Sequence, residues 1–124
     1  MEKKNLDWKH IGFAYHTTDY RYVADYKDGK WQEGYLSDSP TVVLNECAGI
    51  LQYCQEVFEG LKAYETADGR IVTFRSDLNA DRMYHSAERM EMPPFPRERF
   101  VEAVEKVVKA NEAWVPPYGS GATL

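Results

Sequence analysis

The chain has 124 residues, a net charge of −5 and a pI near 5.2, with 44% hydrophobic, 28% charged and 14% aromatic residues. That length supports one domain with a core, not two. The acidic balance argues against a nucleic-acid backbone or an anionic membrane as the main partner, and leaves room for a small anion held by one or two arginines. The cysteines Cys47 and Cys54 stand seven apart, a spacing that fits neither a zinc knuckle nor a redox Cys-x-x-Cys pair. The first ten residues are polar and lack the apolar core of a signal peptide. No run approaches the about 20 apolar residues that span a bilayer. A reduced, cytoplasmic setting is the simplest expectation.

Residues 1–9 read as a polar arm, mobile at its tip. Tyr20, Tyr22, Ala24 and Tyr26 then alternate with Arg21, Val23, Asp25 and Lys27, which predicts a strand over 20–27. Asp28-Gly29 is a hairpin turn dipeptide, with residues 30–34 as the return arm. Residues 36–40 read as a polar turn, and the β-branched run at 41–44 as a short strand. A second hairpin is predicted from residues 61–65 and 70–74, joined through Thr66, Ala67, Asp68 and Gly69. Ser76 and Asp77 are good helix caps. Ala80, Met83, Tyr84, Ala87 and Met90 recur at helical spacing, predicting a helix over 78–90. The prolines at 93, 94 and 96 break it. Phe100, Val104, Val107 and Val108 make the apolar stripe of a second helix over 97–112. Glycines near the end prepare a turn into a further apolar run that stops at Leu124, so the end is expected to be a truncation.

The stretch with the most chemistry is 53–64, which holds aromatics, two acids, a glycine and a lysine. Two readings fit. One is a kinked core strand bending at Gly60, where a bend is cheapest. The other is a pocket wall, with Tyr53 and Phe58 facing a ligand and Gly60 letting backbone approach it. Glu56 and Glu59 are three apart on a bent segment and diverge, so they make a poor acid–base pair. Arg82 and Arg89 are seven apart and share a helix face. Their forked donors suit a phosphate or carboxylate. From spacing alone, solvated arginines paired with Asp81 or Glu88 are the favoured reading. The histidines at 10, 16 and 85 are scattered and give no metal-ligand spacing. The residues alone thus describe an α+β domain, an antiparallel sheet with two helices packed on it, and specify no reaction.

The run Glu-Val-Phe-Glu-Gly-Leu-Lys-Ala-Tyr at 56–64 closely resembles the signature of branched-chain amino acid aminotransferases, fold-type IV enzymes that use pyridoxal 5′-phosphate (PLP). The likeness continues in order through residues 74–83, Ser86 and Ala87, Met92 and Pro93, and 114–116. It covers the chain from about residue 10 and is similar to the larger branch that includes the animal enzymes. The resemblance implies the small N-terminal domain of that fold over 1–124, with the PLP-lysine domain outside the chain. It implies that Arg82 binds the cofactor phosphate. Tyr53, Phe58 and Gly60 would line the pocket for a branched side chain, and Phe13 would reach toward the partner's pocket in a homodimer. In the family a tyrosine and an arginine that help bind substrate follow the equivalent of Ala122, Thr123 and Leu124. The Schiff-base lysine lies later still, and Lys62 is not its counterpart, so no catalytic residue is expected here. The resemblance implies amino-group transfer between leucine, isoleucine or valine and 2-oxoglutarate in the intact protein, with these 124 residues inactive alone. The alternatives are a non-catalytic dimerisation or regulatory module, or another fold-type IV transaminase.

Overall fold

A computed structural model describes residues 2–12 and 14–122. Asp28 and Gly29 both have positive φ, 52° and 75°, as a tight two-residue hairpin turn requires. They join β2 (Tyr26–Lys27) to β3 (Lys30–Trp31), with Tyr26 opposite Trp31. The ladder does not run on as one long strand. β1 (Arg21–Val23) pairs antiparallel with β4 (Tyr35–Ser37), Tyr22 opposite Leu36. The strand predicted over 20–27 is therefore two strands, and the turn predicted over 36–40 begins as a strand. Gly34 makes the wrap-around possible. A Cβ there would sit 2.0 Å from the Tyr22 hydroxyl, so only glycine lets the return arm pass that ring.

The β-branched run at 41–44 forms no strand; it is irregular and exposed, with Val43 90% accessible. β propensity reflects packing against neighbouring strands, and no strand lies beside this run among the described residues. Its start is held by Arg21, which donates to the carbonyls of Ser39 and Thr41, both at 2.6 Å. The 53–64 stretch is not a kinked strand: Tyr53 closes the short helix α1 (Gly49–Tyr53), and residues 54–62 are irregular before the next strand begins at Ala63. The Asn45 side chain accepts the Cys47 N–H at 2.8 Å, and the Ala48 carbonyl then accepts from Leu51 and Gln52. That local alternative to an extended backbone overrides the apolar pattern. α1 ends at Cys54, which adopts a left-handed φ of 51°. The bend therefore lies at Cys54, and Gly60 is outside the left-handed region.

The second hairpin forms as expected: β5 (Ala63–Glu65) pairs with β6 (Ile71–Thr73) around a turn in which Gly69 has φ 79°. The fold is thus α+β, with the strands of the described residues in three separate antiparallel pairs. α2 (Ser76–Arg89) starts two residues earlier than predicted. Ser76 and Asp77 are its first helical residues rather than its caps. Arg75 stands at the cap with φ 50°, and its guanidinium bonds the Asp77 carboxylate at 2.8 Å. α3 (Arg97–Ala110) is followed by a 3-10 turn, Glu112–Trp114. α2 and α3 pack together where Ala80 and Ala87 are buried, 2% and 4% exposed. Small side chains there let the two helices approach closely.

Asn111, 7% exposed, ties α3 to the first strand. Its side-chain oxygen accepts the Tyr20 N–H at 3.0 Å, and its amide donates to the Tyr20 carbonyl at 2.8 Å and to Val107 at 2.9 Å. The start of the chain is anchored at the same place: the Lys4 N–H donates to the Ala113 carbonyl at 2.9 Å. The polar arm therefore packs on the end of α3. Trp31 donates to the Pro94 carbonyl at 2.9 Å and meets Phe95 edge-on, with centroids 4.9 Å apart, so the first hairpin docks on the α2–α3 connection. Between β1, Ala63 and α3 an apolar hollow of about 720 Å³ remains, lined by Tyr22, Trp31, Phe100, Val104 and Trp114. No helix is long and apolar enough to cross a membrane among the described residues.

Candidate functional site

The site is built by the segment leaving α1 and by one face of α2. Asn79 and Arg82 are three apart on that helix, so their side chains lie on one face. Both reach Glu59. Arg82 donates through Nε to one carboxylate oxygen at 2.5 Å and through Nη2 to the other at 2.7 Å. This is the parallel two-bond pairing that guanidinium and carboxylate shapes favour. Asn79 donates to Glu59 at 2.8 Å and to the Gly60 carbonyl at 3.0 Å. The pairing of Arg82 with Asp81 or Glu88 offered by the helix sequence does not occur. Asp81 pairs with Arg97, and Glu88 with His85 at 2.9 Å. Arg89 is exposed at the end of α2, and no ion pair engages it among the described residues.

The two partners of the central ion pair sit in different surroundings. The Glu59 side chain is 5% exposed and that of Arg82 65%. Glu59 is engaged by Arg82 and Asn79, and the Arg82 end of the pair is open to solvent. The Arg82 hydrogen bonds hold the Glu59 carboxyl below the usual carboxylate range, against the opposing effect of desolvation, with Asn79 adding to the lowering. The same bonds hold the Arg82 guanidinium above its ordinary range. Glu59 is therefore a bound carboxylate at neutral pH. Arg82 uses one edge of its guanidinium on Glu59, and Nη1 makes no hydrogen bond among the described residues. A guanidinium carries five donors. Several remain to meet an anion from the solvent side.

Phe58 and Gly60 flank Glu59 in the chain. A Cβ at Gly60 would meet the Phe58 ring at 3.7 Å, so the ring already lies beside this glycine. Phe58 is 88% exposed and Tyr53 83%. Those two rings form no ring–ring pair among the described residues. The structure therefore brings Phe58, Gly60 and Arg82 together through Glu59 and Asn79, and places Tyr53 at the end of α1. Phe13 lies outside the described residues. A cleft of about 410 Å³ runs beside Gly60, bounded by Leu61, Lys62, Tyr64, Phe74 and Asn79. Sequence reasoning overlooked Asn79, Phe74 and the role of Glu59. The i, i+3 spacing of Asn79 and Arg82 was the available signal. The Glu59 contact joins residues 23 apart in sequence and left no local trace.

The fold and site define an α+β domain that presents a half-free guanidinium beside an exposed aromatic wall. No family model matches the chain. It is 53% identical to a branched-chain-amino-acid aminotransferase of Haemophilus influenzae over 98% of its own length and 35% of that protein's. A Helicobacter pylori enzyme of the same name is 46% identical, over 98% of the chain and 36% of the relative. A methionine aminotransferase of Arabidopsis thaliana is 44% identical, over 94% and 33%. Over nearly all of its residues the chain is homologous to branched-chain-amino-acid aminotransferases, and it spans about a third of the length of the curated relatives it matches.

Proposed function

We propose that these 124 residues form the small N-terminal domain of a PLP-dependent branched-chain amino acid aminotransferase, and that they contribute one wall of its active site. The observation that carries this reading is Arg82, fixed by Glu59 on one edge and open on the other, next to the Phe58 and Gly60 wall. The donor set fits a phosphate monoester: an always-charged fork held rigid before a ligand arrives. Arg82 would hold the cofactor phosphate. Phe58, Gly60, Tyr53 and Phe13 would enclose the branched side chain of leucine, isoleucine or valine and exclude water from it. Fully burying such a side chain is worth about 1.5–3 kcal/mol. Bound PLP supplies the electron sink for transfer of the amino group to 2-oxoglutarate. None of the lysines present takes the covalent role, so these residues alone bind and position without turning over. The wide exposure of Tyr53, Phe58 and Phe74 supports a docking surface for the lysine-bearing domain and for a second subunit.

The test is to mix the purified chain with PLP. Weak, saturable binding that Arg82→Ala abolishes is expected, with no absorbance band surviving dialysis. Binding unchanged by Arg82→Ala, or a band that persists, overturns the assignment. The likeness to a methionine aminotransferase favours one second reading, a wall serving an unbranched thioether side chain. Once the chain is part of an active enzyme, comparing leucine and methionine as amino donors separates the two.

A further inference from the structure

Glu59 is an unexpected neighbour for an anion anchor, because its negative charge opposes the ligand. We infer that Glu59 and Asn79 are positioning residues, which fix the pose of Arg82 and set the Phe58–Gly60 wall at a fixed place relative to it. This rests on Arg82 being the phosphate anchor. The contacts form one continuous chain. The Phe58 ring lies beside Gly60. The Gly60 carbonyl accepts from Asn79 at 3.0 Å. The same amide donates to Glu59 at 2.8 Å. Glu59 grips the guanidinium through both carboxylate oxygens.

The asymmetry of exposure shows what the arrangement is for. An unpaired arginine that is 65% exposed would sample many rotamers and lose that freedom on binding. The clamp removes the freedom beforehand, so less ordering remains to oppose the ligand. The acid is covered and the cation open, so the pair does not close the site. Glu59 spends its oxygens on Arg82 and Asn79, and the remaining Arg82 donors stay free on a side chain that is 65% exposed. Asn79 gives the clamp a second function. By bonding both the acid and the Gly60 carbonyl, it holds the distance between the anion position and the glycine wall. A ligand with a phosphate at one end and a reacting centre at the other is thereby read at a fixed separation.

Electrostatics and positioning predict opposite results for Glu59→Gln. If the acid only neutralises Arg82, removing its charge tightens anion binding. If it positions Arg82, removing the charge-assisted fork weakens binding, on the order of threefold to tenfold. The experiment is NMR of the 124-residue chain, following the Arg82 Nε–H signal and the Gly60 amide while inorganic phosphate is added. In the phosphate-free chain a protected Arg82 Nε–H signal is expected, lost in Glu59→Gln. Asn79→Ala should shift the Gly60 amide and give an intermediate loss of phosphate affinity. Asn79→Ala also carries the test if Glu59→Gln fails to fold. A Glu59→Gln chain that keeps the protected signal and binds phosphate as tightly or more tightly overturns the inference, as does an Asn79→Ala chain unchanged in both readouts. Arg82→Ala separates the two layers. Phosphate affinity unaffected by Arg82→Ala removes the anchor reading itself, whereas loss in Arg82→Ala with no effect in the other two removes only the positioning role. No phosphate response in the parent chain overturns both.

Discussion

Asn111 and Glu59 are both side chains that tie together distant parts of the backbone, and they do so in opposite ways. Asn111 is neutral, 7% exposed and engaged through both its oxygen and its amide. It stands in for a missing strand neighbour of Tyr20 and at the same time bonds the last turn of α3. Both amide hydrogens are spent and the oxygen is engaged. Glu59 is charged and covered, yet its principal partner is 65% exposed and retains unused donors. The first arrangement spends every donor on the protein's own backbone and yields a scaffold. The second leaves a surplus on the solvent side and yields a site. A buried polar group that is fully satisfied fixes structure, whereas one satisfied through a half-free partner also prepares for a ligand.

The sharpest way to break this comparison is at the scaffold. Asn111→Ala should leave the Tyr20 N–H and carbonyl without their partner at a half-buried junction and lower stability by about 1–3 kcal/mol. Urea unfolding of the two chains measures it. A loss near zero would mean that water replaces the amide and that Asn111 is no more essential than a surface residue. Comparable in size is Gly34→Ala. The added methyl would meet the Tyr22 ring, with its nearest atom at 2.0 Å, and the ring or the β1–β4 pairing must shift. A destabilisation of about 1–3 kcal/mol is expected, as for overpacking elsewhere. The readout is the same unfolding midpoint, together with the Tyr22 ring resonances, which should move. An unchanged midpoint would show that the hollow beside Tyr22 absorbs the ring without strain.

How legible each half was follows from the range of its interactions. The Asp28-Gly29 turn, the 66–69 turn and the two long helices follow from neighbours a few residues apart, and they could be read directly. The strand boundaries around 24–25 and 35–37 could not, because β1 is completed by β4 across the Gly34 passage rather than by the nearer hairpin arm. The 41–44 run has strand chemistry and no strand beside it, so local preference misled. At 53–54 a helical turn ending in a left-handed Cys54 stands where the kinked strand over 53–64 was expected to start. The resemblance of the 56–64 and 74–83 runs singles out Phe58, Gly60 and Arg82 as candidates from sequence. The wiring between them was not legible. Glu59 and Asn79 are 20 residues apart in sequence, and their meeting depends on how the segment before β5 lies against α2.

A smaller effect tests the site half by pH. The folded-state carboxyl of Glu59 is lowered from its ordinary value of 4.5, first by the Arg82 hydrogen bonds. The sign follows from proton linkage. Above the ordinary value the carboxylate is charged in both folded and unfolded chains, and the pairing contributes its full stability. As pH falls below that value the unfolded chain takes up the proton first, and the contribution is lost progressively through the folded-state value. Because Arg82 is open to solvent, screening keeps this contribution modest. Glu59→Gln should therefore flatten only part of the acid limb of the stability profile, and added salt should shrink the difference. Asp7, Asp19, Asp68 and Asp77 are lowered by their own partners, so acid sensitivity from them is expected to remain in Glu59→Gln. An acid limb identical in the two chains would place Glu59 outside the fold's acid response.

The smallest expected change in stability comes from Phe58→Ala, and its smallness is informative. Phe58 is 88% exposed, so truncating it removes little buried surface and creates no cavity. The unfolding midpoint should move by less than about 0.5 kcal/mol, the range of ordinary surface substitutions. A core phenylalanine cut to alanine loses about 3–5 kcal/mol, so the two outcomes are far apart. If the ring belongs to a docking and substrate wall, its effect should appear instead in association. Sedimentation of the parent chain at rising concentration should show self-association, weakened in Phe58→Ala at unchanged stability. A parent chain that stays monomeric at high concentration removes the docking surface, and a large loss of stability would place Phe58 on the same side of the comparison as Asn111.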